Sequence, residues 1–419
     1  MTIDIHNKNE RMLFILTLGA LTMLGPMAID LYLPALPAIA DDMGEPLSKI
    51  QFTLSAYTIG FALGQLLYGP LSDRFGRQKV MLPGLVGYIV TNILAAMCTD
   101  ANQLIVVRVL QAMAGAAVMV TIPAMVRDLF PRQESAKALS SILLVMTVAP
   151  LMAPLLGGQI LRFFGWESLF IFLAALAFLA MCLALWRVPE TLPEDRRLIV
   201  PAKKLAATYI SILKNRNAMG CILCHGFFFG GMFAFIAGSP FVYIELYGVS
   251  PESYGLVFGL NMVAMGIMNM INIRLIGRMP LFNILRTGSM SAAVAAFALL
   301  LTAKTGSAGL AGIVLPVVVY VGCIGLTGPN SNALALAHFP RSAGTANAMA
   351  GALRFSIGAA TTAIVGLLHD GTAMPMAMVM AACGTLSVMS LLLVSNGGAP
   401  ATELEPQKET LTSKEKISA

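Results

Sequence analysis

The sequence predicts an all-α polytopic membrane protein with twelve transmembrane helices in two six-helix bundles, and three observations carry that expectation. The first is composition: 57% of the 419 residues are hydrophobic and only 11% are charged, with a mean hydropathy of +0.79. A soluble domain carries about 25% charge, and a soluble fold cannot hide so much apolar surface, which a bilayer accepts. The second is spacing. Apolar runs of about 20 residues, the length that crosses a bilayer, recur near 12–38, 50–70, 80–98, 104–124, 137–161, 166–188, 218–244, 253–273, 281–303, 308–335, 342–368 and 372–394. The third is where the basic residues fall. An even number of spans puts both termini on one side, and placing that side in the cytoplasm leaves only Lys49, Arg162 and Lys304 in outside loops. Arg108 and Arg354 lie within spans, and all other Lys and Arg face inside, as the positive-inside rule requires. The net charge of +6 thus reports orientation and calls for no nucleic-acid partner.

In chain order, residues 1–11 read as a cytoplasmic tail carrying Lys8 and Arg11. The apolar run that follows, Met12 to about Ala40, exceeds the roughly 7–15 residues of a signal-peptide core. Despite the cleavage-like Ala38-Ile39-Ala40, it is expected to be a retained first helix. Residues 12–188 form the N-terminal six-helix bundle, 189–217 a cytoplasmic linker and 218–394 the C-terminal bundle. The linker opens on Pro189-Glu190-Thr191, and its stretch from Lys203 to Lys214 is basic and amphipathic, suited to the anionic inner leaflet. Residues 395–419 are polar and rich in Glu, Lys and Thr, hence a disordered cytoplasmic tail. Six spans on each side of one long link mark a duplicated transporter.

Enzymatic chemistry finds little support. The histidines His6, His225, His338 and His369 read as lying at span ends or in tails, and no nucleophile elbow or metal spacing is present. Cys221-Ile-Leu-Cys224-His225 matches the c-type haem attachment pattern, but it falls at the cytoplasmic start of a span, the wrong side for haem attachment. Cys98, Cys182, Cys221, Cys224, Cys323 and Cys383 are taken as packing thiols. No metal and no cofactor are expected. The chain lacks a G-x-x-x-x-G-K-S/T loop, so ATP is not the direct energy source.

The charged residues that lie in or beside apolar runs carry the chemistry. Asp30 is the acidic residue deep in the first run. Desolvation and a neighbouring arginine move a carboxyl's proton affinity in opposite directions, so an aspartate alternating between dry and wet surroundings can load and release a proton. The plainer alternative is a static ion pair or helix-end contact. Arg108 sits mid-span, where insertion scales assign a cost of about 2.5–3.5 kcal/mol, so it must face protein or a wet cavity and find a partner. Between spans two and three stands GPLSDRFGRQK, residues 69–79. Gly69 and Gly76 allow tight turns and close helix approach, and Asp73 can pair with arginines across the link. Such a cluster at a helix end can latch the two halves and break as they rock; otherwise it is a turn with basic charge. The fifth span holds Pro150 and Pro154, which bend or loosen a helix, and Gly157 and Gly158, which let a neighbour pack closely.

The string 69–79 resembles the major facilitator loop signature G-x-L-x-D-R-x-G-R-R/K, with Arg74 and Arg77 in its arginine positions. Arg274-Leu-Ile-Gly277-Arg278 is a fainter copy that lacks the acid. The fourth span resembles the family's L-x-x-x-R-x-x-Q-G-x-G-A-A motif from Leu104 through Arg108 and Gln111, with Ala112 and Ala114 in place of glycines. By that resemblance Arg108 takes part in proton coupling; the alternative is an arginine bonded to backbone carbonyls. Residues 149–158 look like the G-P-x-x-G-G element of exporter-type facilitators, associated with antiport, with Ala153 in place of its glycine.

Together with MAIDLYLPALPAIA (27–40), GSPFVYIELYGVSPESYG (238–255) and SAGTANAMAGALRFSIGA (342–359), these strings resemble the bicyclomycin-resistance (Bcr/CflA) group of drug:proton antiporters over residues 12–394. The resemblance implies the major facilitator fold, a bacterial inner-membrane location, and proton-coupled export of bicyclomycin- or amphenicol-like drugs by a monomer. It assigns proton coupling to Asp30 and Arg108 and gating to 69–79. An exporter of a sugar, nucleoside or amino-acid derivative would share every one of these motifs. Candidates to line the substrate path are Tyr57, Gln65, Phe233, Asn261, Asn332 and Arg354, the last placed to orient substrate or to pair with Asp30. The aromatic stretch Phe227, Phe228, Phe229, Phe233 and Phe235 is expected to face lipid, with drug stacking as the alternative.

Overall fold

The computed structural model describes residues 8–197, 202–340 and 342–395. Residues 1–7 and 396–419, most of the two expected tails, lie outside the described residues. Among the described residues, twelve helices are long and apolar enough to cross a membrane. In the N-terminal half, α1 (Lys8–Asp30) and α2 (Leu36–Met43), joined by a 3-10 turn at Leu33–Ala35, form the first span. The next five are α3 (Leu47–Phe75), α4 (Arg77–Ala96), α5 (Ala101–Leu129), α6 (Arg132–Phe164) and α7 (Glu167–Arg187). The link holds a 3-10 turn and α8 (Ala202–Lys214). The second half runs through α9 (Arg216–Pro240), which continues as a π-helical turn at Phe241–Leu246, then α10 (Pro251–Leu275) and α11 (Leu281–Thr305). Its tenth span is shared by α12 (Gly309–Gly322) and α13 (Ile324–Ala337), followed by α14 (Ala343–Leu367) and α15 (Met374–Ser390).

Several helices overrun their apolar runs at both ends, and side-chain caps start α5 and α9. The expected 50–70 becomes Leu47–Phe75 and the expected 104–124 becomes Ala101–Leu129. Asp100 starts α5 by accepting the Asn102 and Gln103 amides at 2.8 and 3.1 Å. Asn215 does the same for α9 through the Ala218 amide at 3.0 Å. Each satisfies donors a helix start leaves unpaired. Outward faces carry exposed large apolar side chains, among them Leu144, Val294 and Leu367. Polar groups inside the helices are taken up by backbone carbonyls, as with Thr22 to Leu18 and Thr121 to Ala117. This is the arrangement a hydrocarbon solvent imposes. In the link, α8 buries Ile212 against Cys221, Leu285 and Leu334 of the second half.

Two helix pairs, α3 with α14 and α6 with α10, make most of the joint between the halves. Between α3 and α14, Ser55 donates to the Ala359 carbonyl at 2.7 Å, and from α3 Gln51 donates to Ala237 of α9 at 3.0 Å. Between α6 and α10, the Gly158 backbone lies on Pro251 and that of Gly255 on Leu155, so a side chain at either glycine would collide with main chain. Arg162 and Glu252 face each other at 4.0 Å on the same end. These joints gather at the end that carries Lys49 and Arg162.

Candidate transport site

The first span breaks where Asp30 sits. Pro34 and Pro37 remove two backbone donors from the restart, and the last turn of α1 tightens, with the Tyr32 amide bonding to Ile29 at 3.3 Å. That leaves the Ala28 carbonyl without its usual helical donor. Arg108 of α5 supplies one, its Nη1 reaching Ala28 O at 3.0 Å and Gln111 Oε1 at 2.8 Å. A cation at a helix C-terminus is also favoured by the helix dipole. The network runs on: Gln111 donates to Asn92, Asn92 to the Tyr88 carbonyl, and the Tyr88 hydroxyl to Leu24 O. The Arg108 guanidinium, fully buried, lies 4.4 Å from the Tyr57 ring centroid and 4.8 Å from that of Tyr32. Such ring faces stabilise a desolvated cation by about 2 kcal/mol. Its Nε and Nη2 have no protein acceptor.

Asp30 is 5% exposed, and among the described residues it forms no ion pair. Its electrostatic neighbours are the Tyr57 phenol of α3 and the Tyr254 phenol of α10, one from each half. Tyr254 is in turn held by Ser239 at 2.7 Å. Asp30 and Arg108 are thus brought to one helix break without being paired. The partner that Arg108 requires is a backbone carbonyl, a glutamine and two tyrosine rings.

The antiporter element packs on the other side of the break. Gly157 lies against the Leu31 carbonyl and Pro34, leaving no room for a Cβ, while Gly158 lies against Pro251 of α10. Two adjacent glycines therefore seat α6 on the break and on the second half at once. Pro150 and Pro154 stand within α6, which runs unbroken from Arg132 to Phe164, and Ala153 is fully buried.

The loop signature builds a charge cluster at the opposite end. Arg77 donates to Asp73 at 2.5 Å, to Ser72 at 2.8 Å and to Asp128 of α5 at 3.1 Å. The Arg77 amide bonds to Glu190 of the link at 2.8 Å. Gly76, at φ +106°, makes the turn that brings these together, and Glu190 closes over it. No other residue type adopts that backbone readily. Gly69, by contrast, has open space beside it, and Arg74 is exposed over the Phe75 ring. Among the described residues every partner of Arg77 belongs to the first half or to the link. In this conformation the cluster fastens α3, α4, α5 and the link rather than latching one half to the other.

The six residues expected to line the path fall into separate places. Tyr57 stands at the Arg108 and Asp30 break. Phe233 belongs to an aromatic cluster between α3, α9 and α14. There Phe61 lies 4.6 Å from Phe355, Phe229 lies 4.9 Å from Phe233, and Phe229 meets Phe355 edge-on at 5.2 Å. Gln65 packs against Gly351 across the same joint. Asn261 is buried in α10 and donates to the Phe258 carbonyl at 3.0 Å. Asn332 and Arg354 border a small cavity with His225, Ser331 and Ile222, and Arg354 makes no ion pair with Asp30. The lipid-facing expectation is overturned for Phe228, Phe233 and Phe235, which are buried: Gly226, Gly230 and Gly231 turn that side of α9 inward onto Ile357, Thr361 and Tyr320. His225 is not at a span end; capping by Asn215 starts α9 nine residues earlier. Phe61, Phe355, Tyr254 and Asp128 escaped sequence reading, and His225 and Glu190 were noticed without a role, since a ring or a carboxylate at a helix end does not reveal which neighbour it meets.

A broken span carrying a carboxyl, seated between two six-helix halves and held by paired glycines, defines a polytopic membrane transporter. The sequence matches the Major Facilitator Superfamily over residues 18–363. The chain belongs to that superfamily, in the group of the bicyclomycin-resistance proteins. It is 32% identical to the "Bicyclomycin resistance protein homolog" of Haemophilus influenzae, across 93% of this chain and 98% of that one. It is 30% identical to the "Chloramphenicol resistance protein" of Pseudomonas aeruginosa, across 90% and 88% of the two chains. The crystal structure of a D-xylose-proton symporter superposes with a TM-score of 0.70 at 17% identity, covering 93% of this chain and 98% of that one. A nucleoside transporter superposes at 0.72 and 14% identity, covering 91% and 99%. At such identities the likeness is one of fold.

Proposed function

We propose that this chain exports small drugs of the bicyclomycin or chloramphenicol kind across the bacterial inner membrane, exchanging them for protons, as a monomer with both termini in the cytoplasm. The bundles are residues 12–188 and 218–394, moving about the link 189–217. The names of the relatives support the drug class, and the basic residues of the loops support the orientation. The observation that carries the reading is Asp30: an ionisable group in a membrane span, unpaired, at a helix break, neighboured by a tyrosine of each half.

Asp30 is the proton carrier and Arg108 its positioning residue, fixing the break through Ala28. Drug enters from the cytoplasmic side while Asp30 is ionised and rests on the ring cluster of Phe61, Phe229, Phe233 and Phe355. The halves rock, opening the end now sealed by Gly157, Gly158 and Gly255. A proton taken from outside neutralises Asp30, drug leaves, the neutral site returns, and Asp30 gives its proton to the cytoplasm before the next drug binds. The cluster of Asp73 and Arg77 holds the inner ends of α3 to α5 as one body during the motion. Each proton crossing supplies about 2.3 kcal/mol per 100 mV of potential, plus the pH term.

Drug-dependent acidification or alkalinisation of everted vesicles tests the reading. Addition of substrate should release protons from vesicles holding the protein and leave empty vesicles unchanged. A panel of antibiotics and of sugars, nucleosides and amino-acid derivatives separates drug export from metabolite export: response to the metabolites alone replaces the drug assignment.

A further inference from the structure

Arg354 and His225 face a small cavity inside the second half, and neither is used by the proton pathway. His225 of α9 is 6% exposed and its Nδ1 has no partner, and the Nε of Arg354 on α14 is buried and equally unpartnered. Ser331, Asn332, Ile222, Ala335 and Ala350 complete the lining. Ser331 is already committed, its hydroxyl donating to the Cys221 carbonyl at 2.8 Å. No acid compensates the arginine. Between Glu252 and Asp370 the chain contains no Asp or Glu, and no ion pair involves Arg354 among the described residues. Arg354 is half-buried, with its Nε fully enclosed and unpartnered, and it differs here from Arg108, which has a carbonyl, a glutamine and two tyrosine rings around it. A buried guanidinium nitrogen without an acceptor is costly. The next residue along α14, Phe355, belongs to the ring cluster, and Phe229 of that cluster lies 6.1 Å from the His225 ring. Two unpartnered nitrogens, the Nε of Arg354 and the Nδ1 of His225, therefore stand at the edge of an aromatic surface.

We infer that Arg354 and His225 form a subsite for the carboxylate of an aromatic substrate whose ring rests on Phe229 and Phe355. This goes beyond the export reading, adding aromatic carboxylates to the neutral drugs proposed there, and rests on that reading for the transport itself. The guanidinium offers the planar fork that fits a carboxylate, and His225 adds a second donor. Substrates of this kind carry their own counter-charge to Arg354, which ties loading of the second half to cargo rather than to protons.

The test uses the full-length protein in proteoliposomes with an aromatic carboxylate and its neutral primary amide. The ratio of their initial export rates is read for the wild type, Arg354→Gln, Arg354→Lys and His225→Ala. The wild type should favour the carboxylate, and Arg354→Gln should lower the ratio about tenfold, the effect of losing one charged hydrogen bond. Arg354→Lys should recover part of it, and His225→Ala should lower it less. A ratio unchanged in Arg354→Gln overturns the inference while leaving export standing. So does inhibition by acetate or chloride equal for both compounds, since the site then holds a free anion. Failure of the wild type to move either compound, or any drug of the panel, overturns the export reading itself.

Discussion

Arg108 donates to the carbonyl oxygen of Ala28 at 3.0 Å and makes no ion pair with Asp30, two residues further along the same helix. The arginine holds the shape of the break and the aspartate keeps its valence free. A salt bridge between them would neutralise both and remove the group best placed to exchange a proton.

Replacing Arg108 should therefore damage geometry and transport together. Arg108→Ala leaves the Ala28 carbonyl and Gln111 without their donor, a loss of about 1–3 kcal/mol for each buried group. The expected result is a lower Tm in detergent with insertion retained, and loss of drug-driven proton movement. An unchanged pH dependence of export in this variant removes Arg108 from the coupling.

Gly157→Val should weaken the closed end. The added Cβ meets the Leu31 carbonyl and Pro34, and overpacking of this kind costs about 1–3 kcal/mol. The conformation in which α6 seats on the break loses population. A cysteine placed at Ser55, which joins α3 to Ala359, should then react faster with an impermeant maleimide added from the side of Lys49. Equal labelling in both backgrounds contradicts the role given to Gly157.

The charge cluster around Arg77 allows a paired comparison. Arg77 is buried and bonds to Asp73, Asp128 and Ser72, so Arg77→Gln should cost about 1–3 kcal/mol. Lys79 meets Glu194 at 3.6 Å with both side chains largely exposed, and such pairs contribute about 0–1 kcal/mol. Thermal unfolding in one detergent should therefore order the variants with Arg77→Gln well below Lys79→Gln. The reverse order sets the cluster aside as a structural anchor.

Twelve spans were legible in the sequence because a bilayer leaves few choices to a helix: apolar length and loop charge report it directly. The seal at Gly157 and Gly158 and the turn at Gly76 were legible as well, since only glycine permits such approaches or such a backbone. The break between Asp30 and Leu33 was hidden, because its apolar run is continuous and Pro34 and Pro37 read equally well as a kink. The aromatic cluster was hidden too. Phe61, Phe229 and Phe355 lie far apart in the chain, and hydropathy gives a phenylalanine on lipid and one on another helix the same value. His225 was misplaced even though the expected span began at 218: it lies nine residues inside α9, which starts at Arg216.

The exchange of cargo for protons at Asp30 is tested most directly by proton flux in sealed, everted vesicles. Drug is added to wild type and to Asp30→Asn at matched amounts of inserted protein. The account predicts proton release on drug addition for the wild type and none for Asp30→Asn, with drug still moving down its own gradient. Drug-driven proton release at wild-type amplitude from Asp30→Asn contradicts it.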